Sequence, residues 1–441
     1  MFSTFANAWK TPELRKKIIF TCFIILIFRI GSYLPVPFLD AEVMGSLISE
    51  SGSIFSVMNT FSGGALAQGS VFALSIQPYI NASIIMQLLT YALPPLETMQ
   101  KEGESGRKKI QKITNFVSLA IATAMGYAFY ISAKNLNAVQ QFTTADGAVN
   151  TFANIFTGII IVAVFVAGSQ LINFMGNLVN DKGLGNGISI ILFAGILARG
   201  PLAIINMFEA ASATPTLYMA IFFIAIFFVV MVGFIVFMNE SERRIPVQYA
   251  KRVVGRRQYG GQSSFIPIKI AMSGVMPIIF AMALMSFPAT IKMFVAPAAN
   301  PQGFWQNFYV GFLNFFNTTS VWYAILYFIL IIAFNFFYVS MQYDPIQIAN
   351  QLRNNNGGVP GIRPGKPTSD YIRKILNKIT IVGAFFLGVI AIVPILSNYA
   401  VSGLQISMGG TTILIVVSVI LETTRMLESQ MMMRHHKGFL E

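Results

Sequence analysis

Long apolar segments separated by shorter polar ones follow one another along the whole chain. Ten of them are apolar enough to form membrane-spanning helices, for which about 20 residues each are needed. Their approximate ranges are Ile18–Tyr33, Phe72–Leu93, Ile113–Ser132, Phe152–Met175, Asn186–Ile205, Thr216–Met238, Ile268–Ile291, Val321–Met341, Ile379–Leu396 and Met408–Met426. The pattern predicts an all-α, polytopic membrane protein with ten transmembrane helices.

A shorter and weakly apolar piece precedes the second span. It covers Ile54–Leu66 and is interrupted by Gly63 and Gly64. At 1.5 Å of rise per residue it reaches only about half-way across a hydrocarbon core about 30 Å thick. Such a half-element must be buried in protein or line an aqueous cavity, and it is typical of functional centres in transport proteins. An amphipathic helix lying on the membrane surface is the alternative.

Composition and charge agree with this picture and orient the chain. Only 11% of the residues are charged, against about 25% in soluble proteins. With the N-terminus in the cytoplasm, the cytoplasmic side holds all of the 30 Lys and Arg residues except Arg29, Lys134, Arg199 and Lys292. The positive-inside rule therefore predicts that both termini are cytoplasmic. Arg29 lies inside the first span, where it either snorkels to the outer interface or pairs with another group.

The residues needed for several kinds of chemistry are missing from the sequence. Cys22 is the only cysteine and the histidines are His435 and His436 in the tail, so neither a disulfide nor a metal site is expected. No Asp, Glu or His lies in the middle of a span, although proton-coupled transporters need such groups. Neither GxSxG nor HExxH occurs. We therefore expect no enzyme and no cofactor.

Two cytoplasmic loops are longer than a simple connection requires, Asn239–Pro267 and Gln342–Asn377, and each could project as a hairpin. The first carries a dense set of basic residues: Arg243, Arg244, Lys251, Arg252, Arg256 and Arg257. The second holds Arg363 between two Pro-Gly pairs, which favour a rigid turn. Together they suit an acidic partner, either RNA phosphate or an acidic protein face. Ordinary positive-inside loops are the alternative.

Several motifs, taken in order, resemble the SecY family, the channel subunits of the bacterial Sec protein translocon. They are FSGGALAQGSVFALSIQPYINASIIMQLLT, KEGESGRKKI, GLGNGISIILFAGI, RRIPVQYAKR, VPGIRPG and GGTTILIVV. The resemblance covers the chain from span one to span ten. The resemblance implies two pseudo-symmetric five-helix halves around a central pore, residues 1–207 and 208–441. It also implies a short plug helix, which here falls on residues 55–66.

Site residues follow from the same resemblance. The implied plug includes Phe61, Ser62, Gly63, Gly64, Ala65 and Leu66. The implied pore ring is Ile76, Ile80, Ile188, Leu192, Ile279 and Ile415. The implied lateral gate lies between spans two and three on one side and spans seven and eight on the other, and it would carry Gln87 and Asn186. Some relatives have Asn at the position of Ala271. Arg363 and the basic loop correspond to the family's docking surface for the SecA motor and the ribosome.

The resemblance implies a protein-conducting channel in the bacterial inner membrane. Such a channel passes unfolded secretory polypeptides and releases transmembrane segments sideways into the lipid bilayer. Its implied partners are SecE, SecG, SecA, the ribosome and the nascent chains of secretory and membrane proteins. Two other functions stay open on the residues alone. One is a small-solute secondary transporter, which lacks a coupling carboxylate here, and the other is a scaffold or insertase without a pore.

Overall fold

The computed structural model describes residues 8–41, 43–45, 54–140, 142, 150–213, 217–249, 252–254, 257–259, 263–294, 303–317, 320–400 and 410–435. The first part of the chain is helical. Its helices are α1 (Pro12–Gly31), α2 (Ile54–Phe61), α3 (Gln77–Ala92), α4 (Pro94–Lys101), α5 (Glu104–Asn135), α6 (Thr151–Lys182) and α7 (Gly187–Ala213).

The second part of the chain combines helices with short strands. The helices are α8 (Leu217–Glu240), α9 (Met276–Phe294), α10 (Phe304–Phe315), α11 (Val321–Gln342), α12 (Pro345–Asn354), α13 (Lys366–Ala400) and α14 (Gly410–His435). The strands are β1 (Glu242–Tyr249), β2 (Arg252–Val254), β3 (Arg257–Tyr259), β4 (Ser263–Lys269) and β5 (Gly357–Gly358). The fold is thus dominated by helices, with two small sheets outside them.

Each of the ten predicted spans coincides with a helix. Six of the described helical stretches are long and apolar enough, by length and composition, to cross a membrane. They lie within α5, α6, α7 and α8, in α11 together with α12, and in α13. The other four predicted spans correspond to α1, α3, α9 and α14, which are shorter or more polar.

Two helices begin later than the apolar pattern predicted. We expected the second span to begin near Phe72, but residues 62–76 form turns and α3 begins at Gln77, next to Pro78. The seventh span was expected from Ile268, which lies in β4 instead, and α9 begins next to Pro277. Proline has a fixed φ and no N–H, so it suits the first turn of a helix and not its interior. Because the residues before each proline are also apolar, the hydropathy pattern predicted that both helices begin too early.

Three apolar clusters hold the helices together. One is drawn from α8, α9, α11, α13 and α14, and a second from α5, α6 and the residues around α2. The third combines α1, α6, α7 and the region before α3 with Ile415 and Val419 of α14. The first and second parts of the chain therefore meet in this third cluster, as they also do in a smaller cluster of Ala8, Leu14, Leu184 and Leu427.

The three-stranded sheet lies on one face of the protein. Strands β4, β1 and β5 form it in that order, and both pairings are antiparallel. Along β1, Ile245 and Val247 are buried and their neighbours are exposed, as expected of a strand with one face on a core. That core also includes residues of α11, α12 and α13. Helix α11 runs from the sheet to the opposite face, where α10 precedes it.

Candidate functional site

The predicted plug segment, residues 55–66, is a short helix followed by a compact turn. Helix α2 ends at Phe61, and Gly63 and Gly64 then adopt φ angles of +68° and +93°. Glycine takes this left-handed conformation without steric cost, which explains the Gly-Gly pair. Phe61, Ser62, Gly63, Ala65 and Leu66 are buried, whereas Gly64 is half-buried.

Polar side chains inside this segment satisfy its backbone. The Gly64 N–H donates to the Asn59 carbonyl at 2.9 Å, and the Ala67 N–H donates to Asn59 Oδ1 at 3.0 Å. The Leu66 N–H donates to Ser62 Oγ at 3.2 Å. Unpaired backbone groups are costly away from water, so these bonds let a non-helical segment exist among membrane helices.

The segment lies directly against α7 and the turns before α3. A Cβ atom added at Gly195 of α7 would be 2.8 Å from the Phe61 carbonyl oxygen and 3.4 Å from the Gly63 nitrogen. Ser75 Oγ donates to the same Phe61 carbonyl at 3.4 Å. The backbones of α7 and the plug segment approach so closely that position 195 requires a residue without a side chain. Gly195 therefore determines how closely the segment packs against α7.

Arg29 of α1 pairs with this segment, which resolves the question left by the sequence. Its Nη1 donates to the Gly63 carbonyl oxygen at 3.1 Å and its Nη2 donates to the Tyr33 hydroxyl at 3.3 Å. The Arg29 guanidinium carbon lies 5.3 Å from the centre of the Tyr33 ring. The charge inside the first span is thus bound to the backbone of the segment beside the third cluster.

All six predicted ring residues belong to the third cluster. Ile76, Leu192 and Ile415 are buried members, while Ile80, Ile188 and Ile279 are partly buried and pack against them. They come from α3 and the residue before it, α7, α9 and α14. Phe61 and Ala65 of the predicted plug are members of the same cluster. The structure therefore brings the ring residues together and places the plug segment against them.

The two predicted gate residues are separated. Gln87 Nε2 donates to Ser83 Oγ within α3 at 3.1 Å, and its buried Oε1 has no hydrogen-bond partner. Asn186 Oδ1 instead accepts from the N–H groups of Ile188 and Ser189, so it caps α7. In the described part of the chain no hydrogen bond joins Gln87 to Asn186.

The helices of the predicted gate are nevertheless neighbours. Helix α9 packs against both α3 and α5. Tyr91 at the end of α3 contacts Phe337 of α11 edge to face, with ring centres 5.5 Å apart. Ala271 is buried just before α9. Spans two and three thus meet spans seven and eight directly.

The two basic loops form one surface. Strand β5 of the second loop pairs with β1 of the first, with Gln248 opposite Gly358. We call residues 242–269 the basic hairpin. Arg243 and Arg244 lie on its first strand, both exposed, and Arg244 lies 4.6 Å above the Phe265 ring and 2.7 Å from the Glu242 carboxylate.

The remaining predicted docking residues lie between β1 and β4 of the basic hairpin or in the second cytoplasmic loop. Arg252 and Arg257 lie on the paired strands β2 and β3. Lys251 and Arg256 are outside the described residues. Arg363 is exposed in a turn that ends at Gly365, and its carbonyl accepts from Thr368 Oγ1 at 2.8 Å. The sequence predicted two projecting loops, and the structure adds that they share one sheet.

Arg425 connects α14 to the end of α8, just before the basic hairpin, a role that sequence reasoning missed. Its Nη2 donates to the Asn239 carbonyl at 2.9 Å and to the Glu240 carboxylate at 2.7 Å. Nearby, burial and the Arg425 charge lower the pKa of Lys269, at the end of β4. The only sequence signal was a basic residue beyond the apolar part of the tenth span.

Amide side chains inside the spans were also missed. Asn335 of α11 is buried, where it hydrogen-bonds Ser273 Oγ and donates to the Thr380 carbonyl at 3.0 Å. Asn173 of α6 donates to Asn115 of α5 at 3.2 Å. Polar residues at isolated positions in apolar helices are the signal that could have identified them, because such groups usually bond across helices.

No metal site is formed by the described residues. Within those ranges no group of three or more His, Cys, Asp and Glu side chains lies together. Cys22, on α1, is a free and exposed thiol. The geometry therefore describes an apolar cluster, a short segment packed against it and a basic surface formed by two loops.

Comparison with known proteins supports the same architecture. The SecY family model matches residues 70–424. The protein translocase subunit SecY of Streptomyces coelicolor is 39% identical over 444 residues, and that of Mycobacterium bovis is 38% identical over 451 residues, with each alignment covering 100% of both chains.

Solved structures share the fold at lower identity. A structure of a protein conducting channel aligns with a TM-score of 0.62 at 17% identity, covering 94% of this chain and 92% of that chain. Sec61 in the canine ribosome–channel complex from the endoplasmic reticulum aligns with a TM-score of 0.59 at 16% identity, with the same coverage. These matches over nearly the whole chain place the protein in the SecY family.

Proposed function

We propose that this chain conducts unfolded secretory polypeptides across a membrane through the third apolar cluster. The observation that carries the proposal is the composition of that cluster. It gathers six branched aliphatic residues from four separate parts of the chain, and a short non-helical segment is seated against them. Its relatives are named protein translocase subunits, and similar folds are those of protein-conducting channels. The chain is a channel subunit and performs no covalent chemistry.

The ring residues supply the seal of the channel. Branched aliphatic side chains around a narrow neck exclude water and impede ions by dewetting. They offer no hydrogen bond to a passing polypeptide, so chains of any sequence move without being held. Ile76, Ile80, Ile188, Leu192, Ile279 and Ile415 form this ring. The plug segment, residues 55–66, closes the neck from the outer side and moves aside during transport.

The lateral gate lies where α3 and α5 meet α9 and α11. A hydrophobic signal helix stabilises the open gate by burying its apolar surface there and in lipid. Gln87 lies on α3 and has a buried oxygen without a hydrogen-bond partner among the described residues, which makes it the more suitable of the two predicted polar gate residues. Asn186 affects the gate only indirectly, through the start of α7.

The basic surface docks the components that supply energy and substrate. The exposed Arg243 and Arg363 lie on two loops that share one sheet, which suits binding to an acidic protein face or to RNA phosphate. We assign this surface to the SecA motor and the ribosome, and we assign SecE and SecG to the outer faces of the membrane helices. The chain then lies in the bacterial inner membrane with both termini in the cytoplasm, and residues 1–207 and 208–441 form its two halves.

A small-solute secondary transporter explains the described structure less well. It would account for ten spans and a broken segment, but not for two basic loops joined into one sheet. It would also need a coupling carboxylate in a span. A scaffold without a pore would require the ring residues to be ordinary packing. Both alternatives are separated from the channel by asking whether a polypeptide passes the ring.

A crosslinking experiment tests the proposal. Cys22→Ser removes the only native thiol, Ile80→Cys places one at the ring, and a secretory chain with a single cysteine is arrested during transport. Phe227→Cys, on the exposed surface of α8, is the matched control. We expect a disulfide at position 80 and none at position 227. Engaged chains that form no disulfide at position 80 would refute the passage of a polypeptide through the ring.

A further inference from the structure

Arg29 makes an unusual contact for a residue in a membrane helix. It lies two residues before the end of α1, and it donates a hydrogen bond to a backbone carbonyl 34 residues later in the chain, that of Gly63. Charged side chains in a span are costly and usually serve a function. Among the described residues Arg29 forms no salt bridge. Its charge is instead directed to the plug segment.

The Gly63 carbonyl needs a donor from outside its own segment. Gly63 lies two residues beyond the end of α2, and no backbone N–H group of the described residues donates to its carbonyl. The guanidinium provides one, and a hydrogen bond from a charged donor is roughly twice as strong as one between neutral groups. The Tyr33 hydroxyl and ring hold the same guanidinium in place, so little freedom is lost when the bond forms.

Gly63 is the point at which the segment touches two helices at once. A Cβ atom added there would lie 2.7 Å from Arg29 Nη1 and 3.0 Å from the Cα atom of Gly195. The neighbouring Gly64 also has a positive φ, but a Cβ atom there would meet nothing within 4 Å. Both glycines therefore have a positive φ angle, but of the two only Gly63 lies between α1 and α7.

We propose that Arg29 is a latch that holds the plug segment in its closed position. The bond between Arg29 Nη1 and the Gly63 carbonyl forms when the segment is seated, and it must break before the segment moves away from the ring. Arg29 is thus a positioning residue for gating. This inference rests on the proposed function, in which residues 55–66 seal the channel.

The latch is tested by the resting ion permeability of the channel in proteoliposomes. Arg29→Gln is made in the intact chain and in a chain that lacks residues 56–66. Arg199→Gln, on α7, removes a cation from another span and is the matched control. We expect Arg29→Gln to raise permeability about tenfold in the intact chain, because a charged donor is replaced by a weaker neutral one. In the chain without residues 56–66 it should have no effect, since partners in one interaction are not additive.

A second pair of variants tests the latch from the plug side. Gly63→Ala should raise permeability by about as much as Arg29→Gln, because its Cβ displaces the guanidinium and α7. Gly64→Ala carries the same backbone strain and should raise it less. Thermal unfolding of each variant reports general damage. In the Cys22→Ser background, the reaction of Leu66→Cys with a water-soluble maleimide should become faster with Arg29→Gln and stay unchanged with Arg199→Gln.

Three results would overturn the latch, and they have different meanings. If Arg29→Gln raises permeability equally without residues 56–66, Arg29 acts elsewhere in the channel. If it has no effect while removal of residues 56–66 does, the plug seals without a latch. If removal of residues 56–66 itself changes nothing, the plug assignment fails together with the latch, although passage of polypeptides past Ile80 would still stand.

Discussion

The plug segment and the basic hairpin both lie outside the ten membrane-spanning helices, but they are held in opposite ways. The hairpin is held by its own strand register, with Glu242 to Gln248 paired against Ser263 to Lys269. The plug segment is held from outside, by Arg29, Ser75 and the bare backbone at Gly195. A self-paired element keeps its shape while it projects to a partner. An element held by a few contacts from its neighbours can be released as a unit.

This difference predicts which mutations affect the seal and which affect docking. Changes at the contacts of the plug segment should open the resting channel and leave docking intact. Changes in the hairpin should weaken docking and leave the resting channel closed. Four variants test this separation: one acts on the seal, and three act on the hairpin or on docking, from the largest expected effect to the smallest.

Gly195→Ala should have the largest effect on the seal. Its Cβ would lie 2.8 Å from the Phe61 carbonyl oxygen, a backbone atom that cannot rotate away. Overpacking of this kind costs typically about 1–3 kcal/mol, which shifts the seating of the plug by up to about a hundredfold. Resting ion permeability in proteoliposomes measures it. Gly233→Ala in α8, where an added Cβ meets nothing within 4 Å, is the control and should be neutral or slightly stabilising.

Ile245→Ala should damage the hairpin and spare the seal. Ile245 is 1% exposed and packs into the core beneath the sheet. Removing a buried Ile side chain costs about 2–5 kcal/mol, which is enough to loosen a small sheet. Protease sensitivity of the hairpin and binding of the SecA motor measure the damage. Increased resting ion leakage in this variant would contradict the independence of the two regions.

Arg363→Ala should reduce docking without changing the fold. The side chain is exposed, and among the described residues Arg363 forms one hydrogen bond, which its backbone carbonyl accepts from Thr368. Loss of one surface charge from an interface costs roughly 1 kcal/mol, or about a fivefold weaker Kd for the acidic partner. Titration of proteoliposomes with the motor measures it. Arg353→Ala, on the exposed face of α12, tests whether any nearby positive charge suffices.

Arg244→Lys should have the smallest effect. Arg244 lies above the Phe265 ring and contacts the Glu242 carboxylate, and both contacts are exposed. An exposed cation–π contact contributes about 0.5–1 kcal/mol, and the lysine keeps the charge but not the planar fork. Hairpin stability should fall by less than this amount, with no change in ion leakage. A large loss of docking would show that Arg244 itself contacts the partner.

Much of the fold was predictable, because membrane helices are specified locally. All ten apolar segments became helices, since a chain in lipid must satisfy its backbone hydrogen bonds within each segment. Errors arose where apolar residues are buried by protein. Residues 72–76 and Ile268 read as parts of helices, but they lie in turns and in a strand. An apolar stretch of sequence indicates that its residues are shielded from water. It does not show whether lipid or the protein interior shields them.

The candidate site was predictable only through the resemblance to a family. No local pattern separates Ile80 or Ile279 from other aliphatic residues in their helices. The sequence left the role of Arg29 open because its partner is a backbone carbonyl. Every residue has such a group, so the residue type at position 63 does not identify it as a partner. Asn186 was placed at the gate by resemblance, and the hydrogen bonds place it at the start of α7.

The sequence by itself determined the number of spans and the presence of a broken half-segment. These are properties of single segments, fixed by hydropathy and glycine. The tertiary structure alone decided that six distant aliphatic residues share one cluster, that two loops share one sheet and that Arg29 binds Gly63. Each of these depends on helices and loops far apart in the chain packing side by side, and such packing distances are not encoded by any one stretch of residues.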